Sequence, residues 1–142
     1  MRYLLDTCVV SELIAKQPNE HVVQWIDKLD DNQLFLSVIT IGEIKKGIAK
    51  LPDSARKAQL SDWLDNALLP RFGRRIFPIN TDVMRIWGTL MANLERQGRP
   101  LPAIDSLIAA TALHGKLQLV TRNEEDFKAT AVALINPWTP LP

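Results

Sequence analysis

The sequence is poor in the side chains that bind soft metals or cross-link small secreted folds. It has one cysteine, Cys8, and two histidines, His21 and His114, in 142 residues. One cysteine excludes an internal disulfide framework, and so few soft ligands exclude a Cys/His zinc site. Any metal must therefore be held by oxygen. An excess of one charge is lacking too: 17 Lys plus Arg face 16 Asp plus Glu, for a net charge of +1. That balance argues against nucleic-acid binding by bulk charge. No run reaches the ~18 apolar residues of a membrane span. The apolar start stops at Asp6, too early for a signal-peptide core. These absences predict a soluble, cytoplasmic protein of a reducing compartment with no membrane association.

What is present is globular. Hydrophobic residues make up 46% and charged residues 23%, and the length suits a single domain over 1–142. Arg2–Asp6 is an apolar run ending in a carboxylate and reads as a buried strand. Gln33–Val38, Ile76–Ile79, Leu117–Thr121 and Ala131–Ile135 are four further strand candidates. Between them lie helical patterns: Val9 to Ile14, residues 19–30, Thr40 to Lys50, Ser54 to Leu69 ending before Pro70, Val83 to Leu94, and Ile104 to His114 with Gly115 as its cap. Residues 137–142 hold three prolines and read as a short C-terminal tail, frayed or docked. Apolar strands alternating with helices predict an α/β fold with a mainly parallel sheet covered on both faces.

In such sheets function collects beyond the carboxyl ends of the strands. Asp6 follows the first strand, Glu43 opens the helix after the second, Asp105 opens the apolar helix, and Asn123 and Asp126 follow the fourth strand. Each has an ordinary alternative: Asp6 as an N-cap, Glu43 in a capping box with Thr40, and Asp105 as a first-turn acid favoured by the helix dipole. Together they are harder to dismiss, because three helix-start carboxylates then share one sheet edge. Clustered carboxylates repel, and a hard cation such as Mg²⁺ or Mn²⁺ relieves them. Such an ion can activate water and stabilise charge on a phosphoryl group, so the chemistry implied is metal-assisted phosphodiester hydrolysis.

Four segments carry a family resemblance: Leu4-Leu5-Asp6-Thr7, Leu36–Ile44, Asp105–Ala112 and Val120–Phe127. In that order and spacing they resemble the motifs of the PIN-domain family, and most closely the VapC- and FitB-type toxins of toxin–antitoxin pairs. The resemblance implies a PIN-like three-layer sandwich with a central, mainly parallel sheet of about five strands flanked by helices. It also implies a Mg²⁺- or Mn²⁺-dependent endoribonuclease that binds one or two ions, forms a homodimer, and is inhibited by a small VapB-like antitoxin in a hetero-oligomer. DNA is implied only indirectly, through the antitoxin. By motif position Asp6, Glu43 and Asp105 match the acidic triad, as metal ligands and catalytic residues. Asn123 falls at the fourth catalytic position, where the family often has Asp, and Asp126 is the acid nearby. Cys8 stands where a polar residue is usual. Thr7 and Ser106, beside two triad carboxylates, are supporting candidates.

For RNA binding, Arg122 and Arg99 flank the site loops. Lys45, Lys46 and Lys50, Arg56 with Lys57, and Arg71, Arg74 and Arg75 form further basic clusters. A solvated helix face is the plainer reading for most of the lysines. The four tryptophans read as core or interface, with Trp63 and Leu64 as candidates for a dimer or antitoxin surface. A non-catalytic PIN-like binding module is the competing reading. A phosphatase with an Asp nucleophile fits less well, since position 8 is Cys and Lys116 precedes its strand.

Overall fold

The structure is a computed structural model that describes residues 1–140. Its centre is a five-stranded sheet in the order β3-β2-β1-β4-β5, with every neighbouring pair parallel. The strands are β1 (Tyr3–Leu5), β2 (Leu34–Ser37), β3 (Ile76–Phe77), β4 (Gln118–Val120) and β5 (Leu134–Ile135). The helices are α1 (Thr7–Leu13), α2 (Glu20–Asp27), α3 (Val38–Ala49), α4 (Ala55–Trp63), α5 (Leu69–Phe72), α6 (Thr81–Arg96), α7 (Ala103–Gly115) and α8 (Glu124–Phe127).

Successive strand residues point to opposite faces, and the apolar run on each strand fills both. Leu5, Leu34, Leu36 and Val120 face α1, α2, α3 and α5 in one cluster with Val9, Val22, Ile44 and Phe72. Leu4 and Leu119 face the other way, against Leu94 of α6, Ile108 of α7 and Phe127 of α8. The result is the expected three-layer sandwich.

The chain runs β1, β2, β3 to one side and then crosses to place β4 on the other side of β1. The reversal opens a crevice at the carboxyl ends of β1 and β4, where open α/β sheets bind ligands. β4 lies against β1 with Leu5 opposite Val120, so Asp6 and Thr121 leave the sheet side by side.

Three elements depart from the sequence expectation. Helix α3 begins at Val38, not at Thr40, because Ser37 caps it by accepting from the Ile39 N–H at 3.0 Å. The helix after Ser54 does not stop before Pro70. A π-turn over Leu64–Leu68 shifts the hydrogen bonding, with the Leu69 N–H donating to the Leu64 carbonyl, and the chain stays helical to Phe72. Proline in the first turn of the continuing segment lacks a donor that the turn does not need. At the end of α7 the left-handed residue is Lys116 (φ 55°, ψ 44°), not Gly115. Gly115 is needed for a different reason: a Cβ there would sit 3.0 Å from the Leu117 side chain and 3.1 Å from that of Phe77.

The tail is docked as far as it is described; residues 141–142 lie outside the described residues. Pro137 is buried, and the Trp138 indole N–H donates to Glu12 Oε1 at 3.2 Å. Leu64 is a core residue at 3% exposure and Trp63 packs against the same cluster, so Leu64 is not the surface residue expected of an interface. Among the described residues no helix is long and apolar enough to cross a membrane.

Candidate active site

Asp6 ends β1 and is 5% exposed. It does serve as the N-cap of α1: Oδ1 accepts the Thr7 N–H at 2.8 Å. Its other oxygen, Oδ2, accepts the Thr121 hydroxyl at 2.8 Å. The cap alone does not explain the carboxylate, because burial pushes its pKa above 3.8 despite both hydrogen bonds, and the charge of Glu43 adds to the rise.

Glu43 projects from the second turn of α3. The capping-box alternative fails, since Ser37 is the cap and Thr40 is a buried residue within the helix. Glu43 Oε1 instead accepts the Thr7 hydroxyl at 2.6 Å, and the Thr7 oxygen lies 3.0 Å from Thr40 Oγ1. Thr7 thus links two acids from different elements, Asp6 through its N–H and Glu43 through its hydroxyl.

Asp105 lies in the first turn of α7, half-buried. A helix dipole would lower its pKa. The pKa is raised, first by burial and then by the charges of Asp6, Asp126 and Glu43. The structure therefore gathers the three expected acids at the carboxyl edge of the sheet, with Asp126 near enough to add to the same field. Among the described residues the ion pairs are Lys57–Asp53, Arg71–Asp31 and Lys128–Glu125, and none neutralises Asp6, Glu43 or Asp105.

The remaining candidates separate. The Asn123 side chain is exposed and caps nothing; its N–H donates to Thr121 Oγ1 at 3.1 Å. Asp126 is held by its N–H on the Asn123 carbonyl at 3.1 Å. Ser106 is fully buried and turned away from the acids. Its hydroxyl donates to the Ala103 carbonyl at 2.7 Å and accepts the Trp87 indole N–H at 2.8 Å, which fastens α6 to α7. Its expected support of the site is therefore not observed. Arg122 stacks its guanidinium over the Trp138 ring at 5.5 Å. Arg99 lines a cavity beside Asp105 and Asp126. Cys8 lies 3.8 Å from both Asp6 Oδ2 and Thr121 Oγ1, and burial pushes its thiol pKa up, which disfavours a thiolate.

Two of the basic clusters are structural. Arg71 forms a two-pronged contact with Asp31 at 2.9 and 3.2 Å. Arg75 donates to the carbonyls of Leu34, Asp31 and Arg71, and both arginines stack on Phe72. They fasten α5 near the start of β2, at the opposite edge of the sheet from the acids. Arg56 donates to the Ile14 carbonyl, and Lys57 to those of Ala49 and Leu51.

Thr121 is the site residue that sequence reasoning passed over. It is fully buried and joins Asp6 to the Asn123 turn. The signal was available: a hydroxyl residue directly after an apolar strand, in the motif that also holds Asn123, is well placed to satisfy a carboxylate on the neighbouring strand.

A divalent cation suits this donor set. All donors are hard oxygens, burial and mutual repulsion raise two of the carboxyl pKa values, and among the described residues no cationic side chain pairs with them. Among the described residues no three His, Cys, Asp or Glu side chains are grouped closely enough to hold one ion as they stand. Like charges spread apart, and Mg²⁺ in particular keeps several waters and needs only one or two carboxylates.

The PIN domain family model matches residues 3–133. The chain belongs to the PIN-domain family. It is 39% identical over 135 residues to Toxin FitB of Neisseria gonorrhoeae, covering 95% of this chain and 97% of that one. It is 35% identical over 137 residues to VapC ribonuclease Y4jK of Sinorhizobium fredii, covering 96% and 98%. Among solved structures, FitAB bound to an IR36 DNA fragment superposes with a TM-score of 0.94 at 36% identity, over 99% of this chain and 98% of that one. VapBC2 of Rickettsia felis bound to a promoter DNA fragment superposes with a TM-score of 0.81 at 28% identity, over 96% and 98%. This PIN domain is thus of the VapC and FitB toxin type, and its sandwich is theirs.

Proposed function

We propose that this PIN-domain chain is the toxin of a toxin–antitoxin pair and acts as a Mg²⁺- or Mn²⁺-dependent endoribonuclease. The observation that carries the reading is the convergence of Asp6, Glu43 and Asp105 at the strand ends without a neutralising cation. Its near-full-length likeness to a protein named a VapC ribonuclease supports RNA as the substrate. Asp6, Glu43 and Asp105 would hold the ion. When bound, the ion supplies a Lewis acid for the scissile phosphate and lowers the pKa of the attacking water.

The residues of the chain prepare that site. Hydrogen bonds from Thr121 and the Thr7 N–H favour the ionised form of the buried Asp6 carboxyl against the desolvation that raises its pKa, and fix its orientation. The Thr7 hydroxyl holds one oxygen of Glu43 and leaves the other free. Asp105 has no hydrogen bond to satisfy its charge among the described residues, so it retains the full incentive to bind a cation. Asp126, acting through its charge on Asp105, is the supporting acid, and Asn123 offers a neutral donor or acceptor at the rim.

The partner in this reading is a small antitoxin protein, because its structural neighbours FitAB and VapBC2 are two-protein complexes. DNA contact by such a complex would come through the antitoxin. Homodimerisation and a cytoplasmic location complete the proposal. The test is cleavage of a structured RNA pool by the purified chain with Mg²⁺ or Mn²⁺, with EDTA and Asp6→Asn as controls. Cleavage abolished by both controls supports the mechanism. Cleavage that survives both would overturn it, and RNA or protein binding without cleavage under any condition would make the chain a binding module.

A further inference from the structure

Thr40 is fully buried in α3, one helical turn before Glu43 and on the same face of the helix. A buried hydroxyl without a partner costs stability, and valine would fill the same space without that cost. Other helical threonines satisfy the hydroxyl within their own helix. Thr111 donates to the Leu107 carbonyl at 2.8 Å, and Thr89 to that of Arg85 at 3.4 Å, each four residues back. Thr40 departs from this pattern. Its hydroxyl meets Thr7 Oγ1 of α1 at 3.0 Å, its one hydrogen-bond partner among the described residues.

Counting hydrogens sets the direction of this contact. Thr7 Oγ1 has two oxygen neighbours, Thr40 Oγ1 at 3.0 Å and Glu43 Oε1 at 2.6 Å, and it carries a single hydrogen. An ionised Glu43 can only accept, and the shorter contact has the length of a hydroxyl-to-carboxylate bond. The Thr7 hydrogen therefore goes to Glu43, and Thr40 supplies its own hydrogen to Thr7. Hydrogen bonds in such a chain polarise one another, so the Thr40 bond strengthens the grip of Thr7 on Glu43. It also stops the Thr7 hydroxyl from rotating away. The Thr7 backbone is itself anchored, with its N–H on Asp6 Oδ1 at 2.8 Å.

The relay engages one oxygen of Glu43. Mg²⁺ keeps several waters and takes one or two carboxylates in a strict octahedral geometry, whereas Ca²⁺ gathers about six to eight oxygens and readily takes both oxygens of a carboxylate. A Glu43 tied at Oε1 suits the small ion, and a Glu43 free to swing suits Ca²⁺.

We infer that Thr40 is a positioning residue of the metal site: through Thr7 it holds Glu43 by Oε1, leaves Oε2 as the free oxygen, and so favours a small divalent ion over Ca²⁺. This rests on the metal-nuclease reading and adds to it how the site chooses its ion.

The test is titration calorimetry of the full chain with Mn²⁺ and, separately, with Ca²⁺, alongside metal-free melting of each variant. Thr40→Val is expected to weaken Mn²⁺ binding about tenfold, the low end for groups that hold a metal ligand in place. Ca²⁺ binding should weaken less, so that the preference for Mn²⁺ narrows. Thr40→Ser keeps the hydroxyl and should keep both affinities. Thr111→Val removes an equally buried hydroxyl that bonds only within its helix, and should change neither. Thr7→Val, at a half-buried position, cuts the relay at its other end and should narrow the preference at least as much. In that background Thr40→Val should have no further effect on Mn²⁺ binding. Wild-type Mn²⁺ affinity in Thr40→Val overturns the relay, as does an equal further loss in the Thr7→Val background. Equal losses of Mn²⁺ and Ca²⁺ affinity overturn the choice of ion. If Thr40→Val fails to fold, a Thr7→Val chain with the wild-type preference overturns the proposal by itself. These results leave the nuclease reading standing, whereas a folded wild-type chain that binds neither ion overturns both.

Discussion

Replacing Thr121 with valine tests how the buried Asp6 carboxylate is kept charged. The substitution preserves shape and removes one hydroxyl, which donates to Asp6 Oδ2 at 2.8 Å and accepts the Asn123 N–H at 3.1 Å. A hydrogen bond to a charged group is worth about 1.5–3 kcal/mol. The methyl that replaces the hydroxyl returns about 0.8 kcal/mol of apolar burial. Asn123 is exposed, so water can take over its N–H. The expected loss is about 1–2 kcal/mol, or about 3–6 °C in Tm for a chain of this length.

The pH dependence gives the sharper result. The Asp6 pKa in the folded chain already lies above 3.8, so its ionisation opposes folding and stability falls as pH rises through the folded pKa. Thr121 is the largest influence restraining that rise, and without it the folded pKa climbs further. The added penalty of Thr121→Val is therefore full at neutral pH and shrinks in acid, where Asp6 is protonated in both states. Thr111→Val is the control: its hydroxyl is equally buried but donates to the neutral Leu107 carbonyl at 2.8 Å. Thermal unfolding of both variants over a pH series is the assay. Equal penalties with the same pH dependence would refute the assignment of Thr121 to Asp6.

Three other outcomes follow from the same geometry. Asp105→Asn removes a charge that burial and three acids disfavour, so the metal-free chain should become more stable at neutral pH, while stabilisation by Mn²⁺ and RNA cleavage are both lost; paired melting curves with and without metal check this. Ser106→Ala should lower stability by about 1–2 kcal/mol through the lost Trp87 contact and leave the cleavage rate per folded molecule unchanged, as measured by denaturant unfolding and kinetics. Gly115→Ala should destabilise by about 1–3 kcal/mol by overpacking against Leu117 and Phe77, whereas Gly88→Ala, in the interior of α6 with open space at its Cβ, should stabilise by about 1 kcal/mol.

The strands and the placement of the three acids were legible because both are local in sequence. Continuous apolar runs marked all five strands, and each of Asp6, Glu43 and Asp105 follows a strand or opens a helix. What was hidden depends on partners far along the chain. The Glu43 capping box looked sound from Thr40 alone, yet Glu43 meets Thr7, and Ser37 takes the cap. Ser106 sits next to a site acid in sequence, but one residue along a helix turns a side chain by about 100°, and its hydroxyl meets Trp87. The arginines at 71 and 75 resembled a polyanion surface until Asp31 and the β2 carbonyl of Leu34 came beside them. Pro70 read as a helix end because a π-turn that carries the helix through it leaves no composition signal. The fourth motif showed Asn123 and Asp126, while the buried Thr121 between β4 and that loop acquires its role only from the register of β4 against β1.

The central claim is that Asp6, Glu43 and Asp105 form a site for a hard divalent cation. Direct Mn²⁺ binding by isothermal titration, on the wild-type chain and on Asp6→Asn, Glu43→Gln and Asp105→Asn, tests it without reliance on any substrate. The account predicts saturable binding by the wild type that weakens at least tenfold in each variant. Wild-type affinity in all three variants, or no Mn²⁺ binding by a folded wild-type chain, would contradict it.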